Sequence, residues 1–262
     1  MKKILSLLMV LTVGTAIMAG CSKKDQYANS LEKVQKTKKI TIGIDPTYPP
    51  MEFKDESNKL VGFDIEMATD VAKKLGATPE FVPTSWDGIF MSLKSKKFDV
   101  IHSSVSVTDE RKKEMIFTQS YVTGGATIYV KKGGPSIVTT DDLKGKVVAC
   151  QSGTTAEDAL SKLSGMKEVK KFDAMTDAFL DLQSGRVDVV ASDPMVGDYY
   201  VSKDPTKYEK AKLVLAKEDI AVAFRPEETK LRDEYDKAIS DLKADGTLSK
   251  LSEKWFGYDI YK

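Results

Sequence analysis

The sequence predicts an α/β protein built as two lobes of one plan. Strand and helix patterns alternate from Lys38 onward, and a segment of the first half is echoed in the second. A row of hydroxyls that ends in an arginine, "HSSVSVTDER" at 102–111, points to where the two lobes would meet a ligand.

Ahead of the fold, Lys2 and Lys3 precede the apolar run "ILSLLMVLTVGTAIM", which ends at small residues. A basic start, an apolar stretch and a small-residue cleavage site describe a secretory signal peptide over residues 1–20. The run is short for a membrane span, which needs about 20 predominantly apolar residues. Residues 21–37 are polar and read as a flexible tether. The remaining chain, about 225 residues, is enough for one large or two small lobes.

The elements follow in order. "KITIGI" is an apolar strand that breaks at Asp45-Pro46. "DIEMATDVAKKLG" carries Ile65, Ala68, Val71, Ala72 and Leu75 at helical spacing and stops at Gly76. "PEFVP" is short and extended, "WDGIFMSLKSKK" is helical, and "FDVIHSS" is a strand again. Such alternation argues for a mostly parallel sheet covered by helices on both faces. Later, "GKVVACQSGTTAEDALSKL" reads as strand, polar turn and helix. "LKSKKFDVIHSS" (93–104) aligns without a gap on "LQSGRVDVVASD" (182–193), which sets Ser104 on Asp193 at the ends of two strands.

In open parallel α/β sheets, ligands bind beyond the carboxyl ends of the strands. Two facing lobes would present Ser103, Ser104 and Arg111 from one side and Asp193 from the other, which suits a zwitterion. Arg111 offers a planar fork that can hold a carboxylate through two parallel bonds. In "GTTAED", Thr154 and Glu157 match a capping box after Gly153, so a helix start beside Thr155 would offer N–H groups to an anion. Asp45 and Tyr48 lie in the loop after the first strand, and Trp86 opens a helix. Two aromatics at a cleft mouth could sandwich a side chain or its cation.

Composition excludes several classes. Lys+Arg 40 against Asp+Glu 39 leaves no basic excess of the kind that marks nucleic-acid binding. Two cysteines and one histidine make a structural zinc site untenable, so no metal or cofactor is expected. A Ser-His-Asp hydrolase would need His102, yet adjacent strand residues point to opposite faces, so His102 and Ser103 make a poor pair.

Several separated segments, in order, carry a family resemblance. "GFDIEMATDVAKKL" (62–75) resembles the signature of the bacterial extracellular solute-binding proteins for polar amino acids, a group with histidine-, lysine/arginine/ornithine- and glutamine-binding members. "SSVSVTDER", "QSGTTAED", "IAVAF" and "KADGTLSKLSEKWFG" are also similar to family segments. "M-A-G-C" resembles a lipobox, implying cleavage before Cys21 and its lipidation.

The resemblance implies two Rossmann-like lobes joined by a two-strand hinge, the type II periplasmic-binding-protein plan. Lobe one would comprise 38–123 and 219–262, and lobe two 124–218, with Gly124 and Gly125 at the hinge. Arg111 would clamp the ligand α-carboxylate, helped by the Thr154 N–H and the Ser106 hydroxyl. Asp193 would take the α-ammonium, helped by Ser104. Tyr48 and Trp86 would flank the side chain and Asp45 would reach its far end. The ligand would be a polar amino acid, with basic ones slightly ahead. The protein would be a lipid-anchored, extracytoplasmic receptor for the permease of an ABC importer, a monomer by default and not an enzyme. The alternative is the cyclohexadienyl dehydratase type on the same fold, for which no residue singles itself out as the acid at a leaving hydroxyl.

Overall fold

A computed structural model describes residues 27–262. The signal peptide and Cys21 lie outside the described residues. The chain forms α1 (Ser30–Thr37), β1 (Lys39–Ile44), β2 (Thr47–Tyr48), β3 (Glu52–Lys54), β4 (Leu60–Val61), α2 (Phe63–Lys74), β5 (Thr78–Pro83), α3 (Trp86–Lys94) and β6 (Val100–Ser106). There follow α4 (Asp109–Lys112), β7 (Ile116–Phe117), β8 (Val122–Lys131), β9 (Val147–Gln151), α5 (Thr155–Ser161), β10 (Glu168–Phe172) and α6 (Met175–Ser184). The chain closes with β11 (Val189–Ser192), α7 (Pro194–Lys203), β12 (Tyr208–Phe224), α8 (Thr229–Ala244) and α9 (Thr247–Phe256).

One sheet runs through the molecule in the order β10-β9-β11-β8-β12-β6-β1-β5. At one end β1 pairs in parallel with β5 and β6, and at the other β9 pairs in parallel with β10 and β11. Each end therefore has its first strand in the middle, flanked by its second and third, which is the repeat expected from the two aligned segments. β8 and β12 run antiparallel to each other between the two ends. Mixed pairing enters only through these two strands and the short β7 that joins β12. The parallel strands are apolar and buried, as a sheet covered on both faces requires: Ile40, Ile42 and Ile44 of β1 have no exposed surface, nor have Val189, Val190 and Ala191 of β11.

The helices follow the apolar spacing. α2 turns Ile65, Met67, Ala68, Val71 and Ala72 inward. It begins after Gly62, whose φ of 137° and whose approach to the Met51 carbonyl leave no room for a Cβ.

The tether expected over 21–37 is corrected from Ser30 onward. Residues 30–37 fold as α1, capped by the Asn29 side chain accepting from the Glu32 N–H at 2.9 Å. Val34 is fully buried, the Ser30 hydroxyl donates to Glu228 at 2.6 Å, and Lys33 pairs with the buried Asp99 at 2.8 Å. Composition concealed the helix because only Leu31 and Val34 are large and apolar; partners far along the chain decide that it packs.

Candidate functional site

The strands of both ends stop at a common cavity. Its lining includes Asp45, Tyr48, Trp86, Ser103, Ser104, Ser106 and Arg111 from one side. Thr154, Thr155 and Asp193 line it from the other. Of the residues expected at the site, only Gly153 lies off this lining. Glu52 and Gln151 also line it and were missed. Nothing in the sequence set Gln151 apart from a buried strand residue, and Glu52 sits in "PPMEFKD", where a lone acid between apolar neighbours was the available signal.

Arg111 reaches the site from α4, whose first turn is capped by Thr108 accepting the Arg111 N–H at 3.2 Å. Its guanidinium donates to the Ser106 carbonyl at 2.9 Å and to the Gly153 carbonyl at 3.3 Å. The Trp86 and Phe90 rings lie 5.6 and 4.8 Å from the guanidinium carbon. No carboxylate forms an ion pair with it among the described residues. Burial lowers its pKa, the direction of a cation that gains from an anion.

Asp193 stands on the opposite wall. β11 ends at Ser192, and Pro194 occupies the first turn of α7, its fixed φ suited to that place. The Asp193 side chain does not cap its own helix. It turns instead to the cavity, accepting from the Tyr48 hydroxyl at 2.9 Å and the Gly125 N–H at 2.7 Å. A Cβ at Gly124 would lie 2.3 Å from its carboxylate, so a glycine there makes room for it. Burial, the largest cause, pushes Asp193 up to about 7 against those two hydrogen bonds.

The remaining residues make hydrogen bonds and contacts of their own within the protein, and one expected contact is replaced. Ser104 donates to Asp64 and not to Asp193, through both its N–H and its hydroxyl. Ser106 serves Arg111 through its carbonyl, and its hydroxyl makes no hydrogen bond among the described residues. Tyr48 offers Asp193 a hydroxyl, a use that its sequence context did not signal. Trp86 donates to the Gly153 carbonyl at 3.0 Å and borders Arg111.

Gly153 is occupied on both sides, since its N–H goes to Glu157 at 2.7 Å. That bond displaces half of the expected capping box: Thr154 accepts from the Glu157 N–H, but the Glu157 carboxylate reaches one residue too far back to close it. Thr155 donates to Glu218 at 2.7 Å. Asp45 is already met by the Thr47 hydroxyl at 2.8 Å and the Gln151 amide at 2.6 Å, and burial raises its pKa.

His102 is fully buried in its strand, and its Nδ1 bonds to the Tyr235 hydroxyl at 2.7 Å. Its Nε2 has no hydrogen-bond partner among the described residues, so the satisfied strand histidine expected is only half met. Among the described residues, no cluster could hold a metal ion and no helix is long and apolar enough to cross a membrane.

The model of the bacterial extracellular solute-binding proteins, family 3, matches residues 40–258. The chain belongs to that family. It is 36% identical over 253 residues to the L-cystine-binding protein TcyJ of Escherichia coli K12, covering 95% of each chain. It also superposes on an ancestral arginine-binding protein bound to arginine, with TM-score 0.79 and 42% identity, covering 84% of this chain and 98% of that one. A substrate-binding protein of an ABC uptake transporter from Streptococcus pneumoniae, with bound histidine, gives TM-score 0.83 and 31% identity over 89% and 98% of the chains. All three are named as binding proteins, which does not favour the dehydratase alternative. Family membership makes this chain an extracytoplasmic solute-binding receptor of the periplasmic-binding-protein fold.

Proposed function

We propose that the receptor captures a polar L-amino acid, with basic ones ahead, between two lobes and delivers it to an ABC importer without chemical change. One observation carries the reading: a guanidinium and a buried carboxylate, neither in an ion pair among the described residues, line one cavity from opposite walls. A free amino acid supplies the missing partner to each. Arg111 takes the carboxylate, Asp193 the ammonium, and Asp45 with Gln151 meets the side chain. Relatives named for cystine, arginine and histidine support the amino-acid class and leave the side chain open.

The lobes proposed are 38–123 plus 219–262 and 124–218, with α1 now added to the first. β8 and β12 cross between them, pairing Gly125 with Lys217 and Gly124 with Glu218. An amino acid that touches both walls favours the closed form, because only that form lets both charges engage it. Lipidation at Cys21 holds the monomeric receptor on the membrane beside its permease.

A thermal-shift panel of the common amino acids with ornithine and cystine tests the function. A ligand at about 1,000 times its Kd adds roughly 4.1 kcal/mol to stability, so a shift of several degrees is expected with one or a few of them. No shift with any, on protein freed of bound ligand, overturns the reading.

A further inference from the structure

β6 departs from regular pairing where it meets the cavity. Ala221 and Ala223 of β12 pair with Val105 and Ile101 of β6, so β6 carries two extra residues across that stretch. Bulges of this kind re-aim side chains beside functional sites. The surplus turns at Ser104, whose φ of 47° lies in the left-handed region that disfavours any residue with a Cβ.

Asp64, in the first turn of α2, holds that turn. Its Oδ2 accepts the Ser104 N–H at 2.9 Å, the Ser104 hydroxyl at 3.1 Å and the Tyr121 hydroxyl at 2.8 Å. Glu52, on β3, holds the preceding residue: the Ser103 hydroxyl donates to Oε1 at 2.6 Å and accepts the Asp45 N–H at 3.0 Å. Two acids with no exposed surface thus fix consecutive residues of one bulge.

The other oxygens of the two acids, Glu52 Oε2 and Asp64 Oδ1, have no donor among the described residues. Both acids are buried and bond consecutive residues of the bulge, so their carboxyls are neighbours in the core. A proton shared between them would give the two orphaned oxygens a partner. Burial first, then the neighbouring Asp64, raises the Glu52 pKa well above the usual carboxylate range.

The titratable groups whose charges act on the pair are Asp45 and Tyr48 toward Glu52, and Tyr121, Tyr235 and Tyr261 toward Asp64, of which Tyr121 is in direct contact. His102 Nε2 lies 3.7 Å from Asp64 Oδ1, and burial pushes that imidazole toward its neutral form. No lysine or arginine forms an ion pair with either acid among the described residues.

We propose that Glu52 and Asp64 form a proton-sharing acid–carboxylate pair that positions the ligand site by fixing the Ser103–Ser104 bulge. The proposal rests on the receptor reading above. Asp64 acts through Ser104 and Tyr121, while Glu52, as a neutral acid on the cavity lining, adds no second negative charge beside Asp45.

Two measurements test it. Infrared difference spectra of unliganded wild type and Glu52→Gln, taken at pH 9, are expected to contain the carbonyl band of a protonated carboxyl that the variant lacks. No difference would mean that Glu52 is ionised and would overturn the pair. This arm needs no ligand, so it stands apart from the receptor reading.

The second arm titrates L-arginine, L-histidine and L-cystine by calorimetry into wild type, Asp64→Ala and Asp64→Ala/Ser104→Gly. Asp64→Ala is expected to weaken the ligand that wild type takes about tenfold. The double variant is expected to recover at least about threefold of that, because glycine adopts the left-handed turn without a Cβ penalty. Asp64→Asn, which keeps the shape, replaces alanine if that variant does not fold. Unchanged affinity at Asp64, or a double variant as weak as the single one, overturns the positioning role. If wild type binds none of the three amino acids, positioning falls with the receptor reading, and the infrared arm still decides the pair.

Discussion

The two walls of the cavity share one strand plan and differ in how the last strand ends. β11 ends cleanly: Pro194 starts a helix, and Asp193 swings to a single hydroxyl, from Tyr48, and a single N–H, from Gly125 on the neighbouring β8. β6 ends in a bulge tied down by two buried acids. A lone carboxylate needs little scaffolding, but burial raises its pKa to about 7. A row of hydroxyls carries no charge, yet each must be aimed, so that wall needs a polar network beneath it. One wall concentrates electrostatic cost, and the other spreads it over a positioned framework.

If the clean wall carries the ammonium, Asp193→Asn should give the largest effect, about 2–5 kcal/mol in ligand binding, much of it from an unpaired buried charge. Calorimetry reads this directly, and an unchanged affinity would move the ammonium elsewhere. On the bulged side, Arg111→Lys keeps the charge but cannot hold the Ser106 carbonyl and a carboxylate with one rigid fork. A loss of about 1.5–3 kcal/mol in affinity with little loss of stability is expected; equal melting and equal affinity would remove Arg111 from the site.

Only the bulged half is buttressed by α1. Val34→Ala should therefore lower stability by about 2 kcal/mol in denaturant melts while leaving affinity near wild type. An affinity that falls in step with stability would mean that α1 shapes the cavity as well.

The smallest effect comes from pH. With Asp193 at about 7, the ammonium meets a full carboxylate above that pH, and affinity falls as pH drops below it. The fall is at most tenfold per unit, about 1.4 kcal/mol. The stability of the unliganded protein has the opposite sense for this group. Its folded pKa lies above the unfolded value of 3.8, so its contribution is full below that value and is lost as pH rises through about 7. Titrations at pH 8 and pH 6 should differ for wild type and agree for Asp193→Asn.

Much of the fold was legible in short-range pattern. Apolar runs and helical spacing located β1, α2, α3 and β6, and the gapless echo of 93–104 in 182–193 anticipated the matching strand orders at the two ends. Asp193 was legible because a charge at the end of a buried strand needs a purpose, and Arg111 because a row of hydroxyls after a buried strand leads to its guanidinium. α1 was not, since two apolar side chains in eight residues carry little periodicity and its partners, Asp99 and Glu228, lie far along the chain. Nor was the hydrogen-bonding role of Tyr48, which depends on an acid 145 positions away.

The sequence by itself determined the class of fold, the doubled plan and the two opposite charges. Those follow from periodicity and composition, which act between neighbours in the chain. Tertiary structure decided which polar group meets which: that Ser104 turns to Asp64 and not to Asp193, that Gly153 gives both its N–H and its carbonyl to protein partners, and that Gln151 reaches Asp45. A hydrogen bond depends on distance and angle within a few tenths of an ångström, and residues far apart in sequence acquire such geometry only when the sheet has brought their strands to one cavity.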